Sequence, residues 1–326
     1  MTATPVLVLL DHAADGTLRT PVRELLTLAR GLAGDAGVHG VWAGGEDVAA
    51  AVPVLAAQGV TTVHRLVTDA DVHLSSVLAD GLQAALAASG SALLLLVSSF
   101  ENKEAAARLA VRTGAGVVTD ADGVSLDGAR VVAHKTVLAG TWTTSCAVTA
   151  PTALVLVKAN AVTAQDAAVP SAPQVVDLPV EVGAASGRVR LVARTEHAAS
   201  GRPDLGSAHV VVVGGRGTEG NFAAVEELAD VLGGAVGATR VATDEGWIGH
   251  DAQIGQTGVT VAPRLYVGAG VSGAVHHRGG MQASGTIVAV NSDPDAPIFE
   301  IADFGIVGDL FTVLPQAASE LRRLRG

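Results

Sequence analysis

Short apolar runs alternate with longer stretches of helical periodicity through the first 120 residues. Val6–Leu10 is a β-branched and leucine run ending at Asp11, and Val22–Leu32 carries apolar residues at helical spacing before Gly34. Val38–Trp42 reads as a second strand and Val48–Ala57 as a second helix, stopped by Gly59. Then come a strand at Val63–Leu66, a helix at Leu74–Ala88 ended by Gly90, and a strand at Ala92–Val97. That last run is apolar throughout, the pattern of a strand covered on both faces. Lys103–Arg112 reads as a helix stopped by Gly114, and Val117–Val118 opens the next strand. This order predicts a doubly wound parallel sheet.

Beyond Val124 the elements shorten. Val124–Leu126, Val131–Val137, Cys146–Thr149 and Ala153–Lys158 read as short strands separated by turns, Leu126-Asp127-Gly128 among them. They predict an antiparallel addition that completes the first domain. Residues 159–206 hold Pro170, Pro173, Pro179 and Pro203 and little periodicity beyond one candidate strand at Val189–Val192. The division drawn is a first domain at 1–190, a linker at 191–206 and a second domain at 207–326. The second domain repeats the βα pattern with a strand at Val210–Val213, a helix at Phe222–Leu232, and strands at Arg264–Val267 and Thr286–Val290. A helix at Leu310–Arg325 follows, with Arg322, Arg323 and Arg325 in its last turn, where cations suit the helix dipole. The fold class is α/β: an N-terminal doubly wound Rossmann-like domain with an antiparallel addition, and a C-terminal α/β domain on a parallel sheet.

Composition narrows the function classes. Twenty-one basic against 32 acidic residues give a net charge of −11 with no basic stripe, which excludes a nucleic-acid binder. No apolar run approaches the ~20 residues of a membrane-spanning helix, so no membrane insertion is expected. The single cysteine, Cys146, allows no internal disulfide and fits a reducing cytosol. Its strand context suggests a packed structural thiol. The N-terminus lacks a signal-peptide pattern, and the expected location is cytoplasmic. The 39 glycines beside 3% aromatics imply many tight turns or places where backbone approaches something closely.

Candidate chemistry lies in the second half. His12, His39, His64, His73 and His134 follow no metal-ligand spacing, and no glycine-rich loop follows the first strand. After Val213, however, Gly215, Gly217 and Gly220 form G-x-G-x-x-G between a strand and a helix, where backbone can approach a pyrophosphate. The acidic ribose partner of a nicotinamide site should fall near Ala235, and none is there; Arg216 sits inside the loop. Gly268, Gly270 and Gly273 repeat the motif, and Ile254-Gly255-Gln256-Thr257-Gly258 is a glycine-bracketed polar loop. Ser272, His276, His277, Asn291, Asp303 and Asp309 follow at other predicted strand ends. Each feature has a plain reading: a glycine turn, a solvated arginine, two adjacent histidines facing different ways, an Asn-Ser-Asp-Pro turn. Together, at the carboxyl ends of strands, they point to one large ligand such as a dinucleotide. An NAD-dependent oxidoreductase and a nucleotide-binding scaffold are the alternatives. The missing acidic residue and the lack of a general acid–base pair count against the first.

These residues also carry a family resemblance. Residues 207–318 closely resemble the C-terminal domain of the electron transfer flavoprotein alpha subunit. The matching runs are Gly214-Gly215-Arg216-Gly217, Val236-Gly237-Ala238-Thr239-Arg240, Gln253-Ile254-Gly255-Gln256-Thr257-Gly258, and Ser272-Gly273-Ala274-Val275-His276-His277. They continue with Asn291 through Phe299 and Asp303 through Phe311. The first half matches more weakly, at Ala106–Asp120 and Arg202-Pro203-Asp204-Leu205.

The resemblance implies an electron carrier with no substrate turnover of its own, an FAD held mostly by the second domain, and a smaller beta subunit covering the flavin. It implies electron donors such as acyl-CoA dehydrogenases of fatty acid β-oxidation or other flavin dehydrogenases, and a quinone oxidoreductase as acceptor. It places Arg216 near the ring or phosphates, Arg240 near the ring, and the Thr257 hydroxyl at flavin N5, and counts Thr239 among the cofactor-binding residues through its hydroxyl. Gln253, Ile254, Gly255 and Gln256, with Ser272, Gly273, Ala274, Val275 and His276, would wrap the ring and ribityl chain. His277 would face the C2 carbonyl, where a protonated or donating imidazole would steady negative charge. Asn291, Asp309 and Leu310 would hold the adenosine end. Three positions depart from the usual family pattern: Thr239 for Ser, His276 for Gln and Phe304 for Tyr.

Overall fold

The structure is a computed structural model that describes residues 4–44, 47–138, 140–193 and 201–325. It divides into two compact units, one of Met1–Lys135 and Thr144–Glu196, the other of Thr136–Thr143 and His197–Gly326. Residues 194–200, within the expected linker, lie outside the described residues.

The first unit alternates strand and helix as its hydrophobic pattern predicts. β1 (Val6–Leu9), α1 (Thr20–Ala33), β2 (Val38–Trp42), α2 (Val52–Ala57), β3 (Val60–Val67), α3 (Ser75–Ser89), β4 (Leu93–Val97) and α4 (Phe100–Thr113) follow in order. β5 (Gly116–Ala121), β6 (Gly123–Asp127), β7 (Arg130–Val137), β8 (Trp142–Ala147), β9 (Ala153–Val157) and β10 (Gln174–Pro179) complete it. Seven strands form a parallel sheet in the order β10-β3-β2-β1-β4-β9-β5. Successive side chains of a strand point to opposite faces. Hence Val6, Val8, Leu93 and Leu95 enter one core, and Leu7, Leu9, Leu94 and Leu96 enter the other. Helix α4 begins where Ser99 Oγ accepts the Asn102 N–H at 3.1 Å, a standard N-cap.

Two expectations for this unit are corrected. The antiparallel addition exists as a three-stranded sheet, β6-β7-β8, but Ala153–Val157 is not part of it. That strand lies between β4 and β5 in the parallel sheet, with all five residues buried. Its unbroken apolar sequence is the pattern of a doubly covered strand. The region 159–206 also holds a strand not foreseen, β10, which pairs parallel with β3 at the sheet edge. Val189–Val192 forms none. β10 is mostly exposed, so its pairing lacked a strong apolar signal. Cys146 is half-buried on β8.

The second unit contains β11 (Val210–Gly214), α5 (Ala223–Leu232), β12 (Ala235–Ala238), α6 (Arg240–Asp244), β13 (Leu265–Ala269) and α7 (Val275–Arg278). β14 (Thr286–Asn291), β15 (Phe304–Val307) and α8 (Leu310–Arg325) follow. Five parallel strands lie in the order β12-β11-β13-β14-β15. Val212 joins the core against α5 and α8, while Val211 and Val213 join the core on the opposite face. β12 and β15 were not foreseen as strands; each is four residues long and rich in small or exposed positions. Among the described residues no helix is long and apolar enough to cross a membrane.

Candidate functional site

A parallel sheet brings the carboxyl ends of all its strands to one edge, and in open α/β sheets ligands bind there. The second unit places its predicted site residues along that edge. Gly214 ends β11 and Arg216 follows; Ala238 ends β12 and Thr239 and Arg240 follow. Ala269 ends β13 and leads to Ser272, Asn291 ends β14, and Val307 ends β15 shortly before Asp309 and Leu310. Arg216, Arg240, Gln256, Thr257, Ser272, Ala274, Val275, His276 and Asp309 are exposed. Thr239 and Asn291 are half-buried, and Gln253, Ile254, Gly255, Gly273, His277 and Leu310 are buried. The buried members carry the exposed ones.

The loop 253–258 is tied to its surroundings by hydrogen bonds. Ile254 N–H donates to Ala238 O at 2.9 Å, and Thr239 N–H donates to Gly214 O at 3.0 Å. Gln256 N–H donates to His276 O at 3.0 Å, and Gln256 Oε1 accepts from His276 Nδ1 at 2.9 Å. This joins the polar loop to α7, which the sequence spacing did not reveal. The Gln253 side chain is buried; its Nε2 donates to Thr257 Oγ1 at 2.9 Å and its Oε1 accepts from Thr243 Oγ1 at 2.8 Å. Thr257 therefore has a filled acceptor position, and its own proton is directed elsewhere. Arg240 Nε pairs with Asp244 at 3.2 Å on the exposed face of α6.

The glycines of the two loops allow backbone to approach backbone. A Cβ on Gly215 would lie 2.3 Å from Gly270 O, and one on Gly217 2.8 Å from Gly270 Cα. Gly215 N–H donates to Ala269 O at 3.0 Å and Gly217 N–H to Gly270 O at 3.1 Å. The two G-x-G-x-x-G loops thus interlock, backbone against backbone. The Gly215, Gly217 and Gly270 amides are spent inside the protein, the last on Val290 O.

His277 is held on both ring nitrogens. Its Nδ1 lies 3.1 Å from Ile254 O and its Nε2 2.7 Å from the Tyr266 hydroxyl. A carbonyl only accepts, so Nδ1 carries the proton and Nε2 accepts from Tyr266. Burial lowers the ring from its ordinary 6.5 to about 4, against the raising effect of the Ile254 hydrogen bond. Burial also raises the Tyr266 hydroxyl, keeping it a donor. The imidazole is neutral with both nitrogens engaged inside the protein, and it is neither a cation nor a free donor. Tyr266, the one tyrosine of the sequence, was missed. Its signal was a phenol within an apolar strand, which needs a buried partner.

Asn291 and Asp309 also have internal duties. Asn291 Nδ2 donates to Val271 O at 2.9 Å and its Oδ1 accepts the Asp293 N–H at 3.0 Å. Asp309 caps α8, accepting from Phe311 N–H at 3.0 Å and Thr312 Oγ1 at 3.2 Å. The Asn-Ser-Asp-Pro reading as turn chemistry thus holds for Asn291.

An FAD fits the donors that remain. Arg216 pairs with no acidic side chain among the described residues, and Thr257 and Ser272 present hydroxyls at the same edge. Cations suit a pyrophosphate or an electron-rich ring edge, and hydroxyls suit ring nitrogens and ribityl oxygens.

Comparison with known proteins gives the same direction. The family model described as the electron transfer flavoprotein domain matches residues 6–186. The model described as the electron transfer flavoprotein FAD-binding domain matches residues 204–282. A Mycobacterium leprae protein named electron transfer flavoprotein subunit alpha is 42% identical over 323 residues, 98% of this chain and 99% of the relative. A Bacillus subtilis protein of the same name is 33% identical over 323 residues, 97% of each. A mitochondrial protein of that name from Arabidopsis thaliana is 57% identical over 122 residues, 37% of this chain and 34% of the relative.

Proposed function

The chain belongs to the electron transfer flavoprotein alpha-subunit family, with FAD as the cofactor of its second domain, and on that premise we propose the working unit and its partners. It is one subunit of a heterodimer with an electron transfer flavoprotein beta subunit. The pair acts in the cytoplasm as a carrier without substrate turnover of its own. It accepts electrons from flavin dehydrogenases, acyl-CoA dehydrogenases among them, and delivers them to a quinone oxidoreductase.

The observation that carries this reading is the single edge of the five-stranded sheet, where Arg216, Thr257 and Ser272 follow strand ends and Arg240 opens α6. FAD supplies the one- and two-electron redox chemistry; the chain supplies position and charge. Arg216 serves the phosphates or the ring, and Arg240 serves the ring edge. Thr257 directs its hydroxyl proton to N5, because Gln253 occupies the acceptor side of its oxygen. The 272–276 segment and the 254–256 loop flank the ring and ribityl chain, with Thr239 beside Arg240. Asn291, Asp309 and Leu310 form the adenosine end, the first two through geometry that their internal hydrogen bonds fix.

The test is co-expression with the candidate beta subunit, followed by the absorption spectrum and flavin analysis of the purified pair. One FAD per heterodimer supports the reading. A colourless pair that takes up no added FAD overturns it.

A further inference from the structure

The Thr243 hydroxyl has one proton and two acceptors within reach, Arg240 O at 2.9 Å and Gln253 Oε1 at 2.8 Å. Thr243 is 3% exposed and Gln253 7%, so neither exchanges partners with solvent. Two self-consistent arrangements follow from donor and acceptor counting. In the first, Thr243 donates to Gln253 Oε1, the Gln253 amide donates to Thr257 Oγ1, and the Thr257 proton points away from the chain. In the second, Thr243 donates to Arg240 O, the Gln253 amide is turned over and donates to Thr243, and Thr257 donates inward to Gln253 Oε1. Thr257 then presents only lone pairs outward. The structure holds the first.

We propose that Thr243 is a positioning residue: through the buried Gln253 amide it sets whether Thr257 offers a proton outward or accepts one. This rests on the reading above that Thr257 faces flavin N5. Oxidised flavin has a bare N5 that needs a donor, whereas two-electron-reduced flavin carries a proton on N5 that needs an acceptor. A hydroxyl whose direction can be reversed by one amide turn serves both states. Thr243 makes one hydrogen bond in the first arrangement and two in the second, so its hydroxyl supports the acceptor state, and so the reduced flavin. Arg240 enters twice, through its side chain at the ring edge and through its carbonyl as the alternative acceptor for Thr243. No periodicity singles out Thr243, since its role depends on α6 folding back over the 253–257 loop.

The experiment uses Thr243→Val, which keeps the shape and removes the hydroxyl, and Thr243→Ser, which restores it. In the flavin-free full-length chain, the Gln253 side-chain amide signals in nitrogen-edited NMR report the relay alone. They are expected to match in wild type and Thr243→Ser and to shift in Thr243→Val. In the heterodimer, at a fixed solution potential, Thr243→Val is expected to lower the ratio of reduced to oxidised flavin roughly 3–10-fold, the effect of one lost hydrogen bond. Thr243→Ser is expected to restore the wild-type ratio. Unshifted amide signals overturn the relay. Shifted amide signals with normal FAD content and an unchanged ratio overturn its link to the flavin. A wild-type pair that takes up no FAD overturns the proposed function instead, and the amide signals then still decide whether Thr243 orders Gln253.

Discussion

Acid is expected to weaken the second domain through one ring, His277. The imidazole donates from Nδ1 to Ile254 O, accepts at Nε2 from Tyr266, and is 6% exposed. In the unfolded chain it titrates near 6.5, and in the fold at about 4. The gap of about 2.5 pH units, at ~1.36 kcal/mol each, corresponds to ~3 kcal/mol. The folded pKa is the lower one, so between the two values the unfolded state binds more protons and stability rises with pH. The contribution is complete above about 6.5, and is lost as pH falls toward 4. The assay is amide hydrogen exchange at Val212 and Tyr266, in central strands of the second sheet, across that window. His277→Gln is expected to lower stability at neutral pH and to remove up to ~1.4 kcal/mol per pH unit of the slope. Nitrogen NMR of the ring supplies a direct check on the proton's position. An imidazole that titrates near 6.5, or that carries its proton on Nε2, would refute the reasoning.

Other substitutions test other contacts. Gly270 has φ +62°, and a Cβ there would lie 2.7 Å from Gly217 Cα. Gly270→Ala should therefore cost about 3 kcal/mol by urea unfolding, from overpacking and left-handed strain together. Gly233 has φ +67° with nothing within 4 Å, so Gly233→Ala should cost only ~1 kcal/mol; equal costs would remove the interlocked loops as the cause. Asp309→Ala should cost ~1 kcal/mol through the lost α8 cap, with Asp309→Asn near neutral, and equal losses in the unfolding midpoint would contradict the cap. In the first domain, burial raises Asp11 to about 6 against the lowering Asn102 hydrogen bond. Its folded pKa is the higher one, so its contribution is present below 3.8 and lost as pH rises through about 6, opposite in sign to His277. Asp11→Asn should flatten that slope in hydrogen exchange of β1 and β4; an unchanged slope would show that Asp11 titrates normally.

Apolar periodicity and glycine punctuation were enough to read the opening βα order of the first domain and three strands and two helices of the second, because Leu, Val and Ile at period two or 3.6 report which faces leave water. The site loops were legible as well, since glycine and hydrogen-bonding side chains recur where strands end. Sheet order was not legible. Ala153–Val157 follows the three strands of the small sheet in the chain, yet it inserts between β4 and β5, a choice made by which apolar faces need covering. β10 and β12 pair through backbone groups that every sequence possesses, so their side chains gave little notice. The chemistry of single residues depended most on tertiary structure. His277 could be read as a cation until Ile254 and Tyr266 were brought to its two nitrogens. Gly215 and Gly217 could be read only as turn or close-approach glycines until the Gly270 backbone was seen packed against them. Residue types and spacings determine what a group can donate or accept; only long-range packing decides which partner reaches it first and whether water is left to compete.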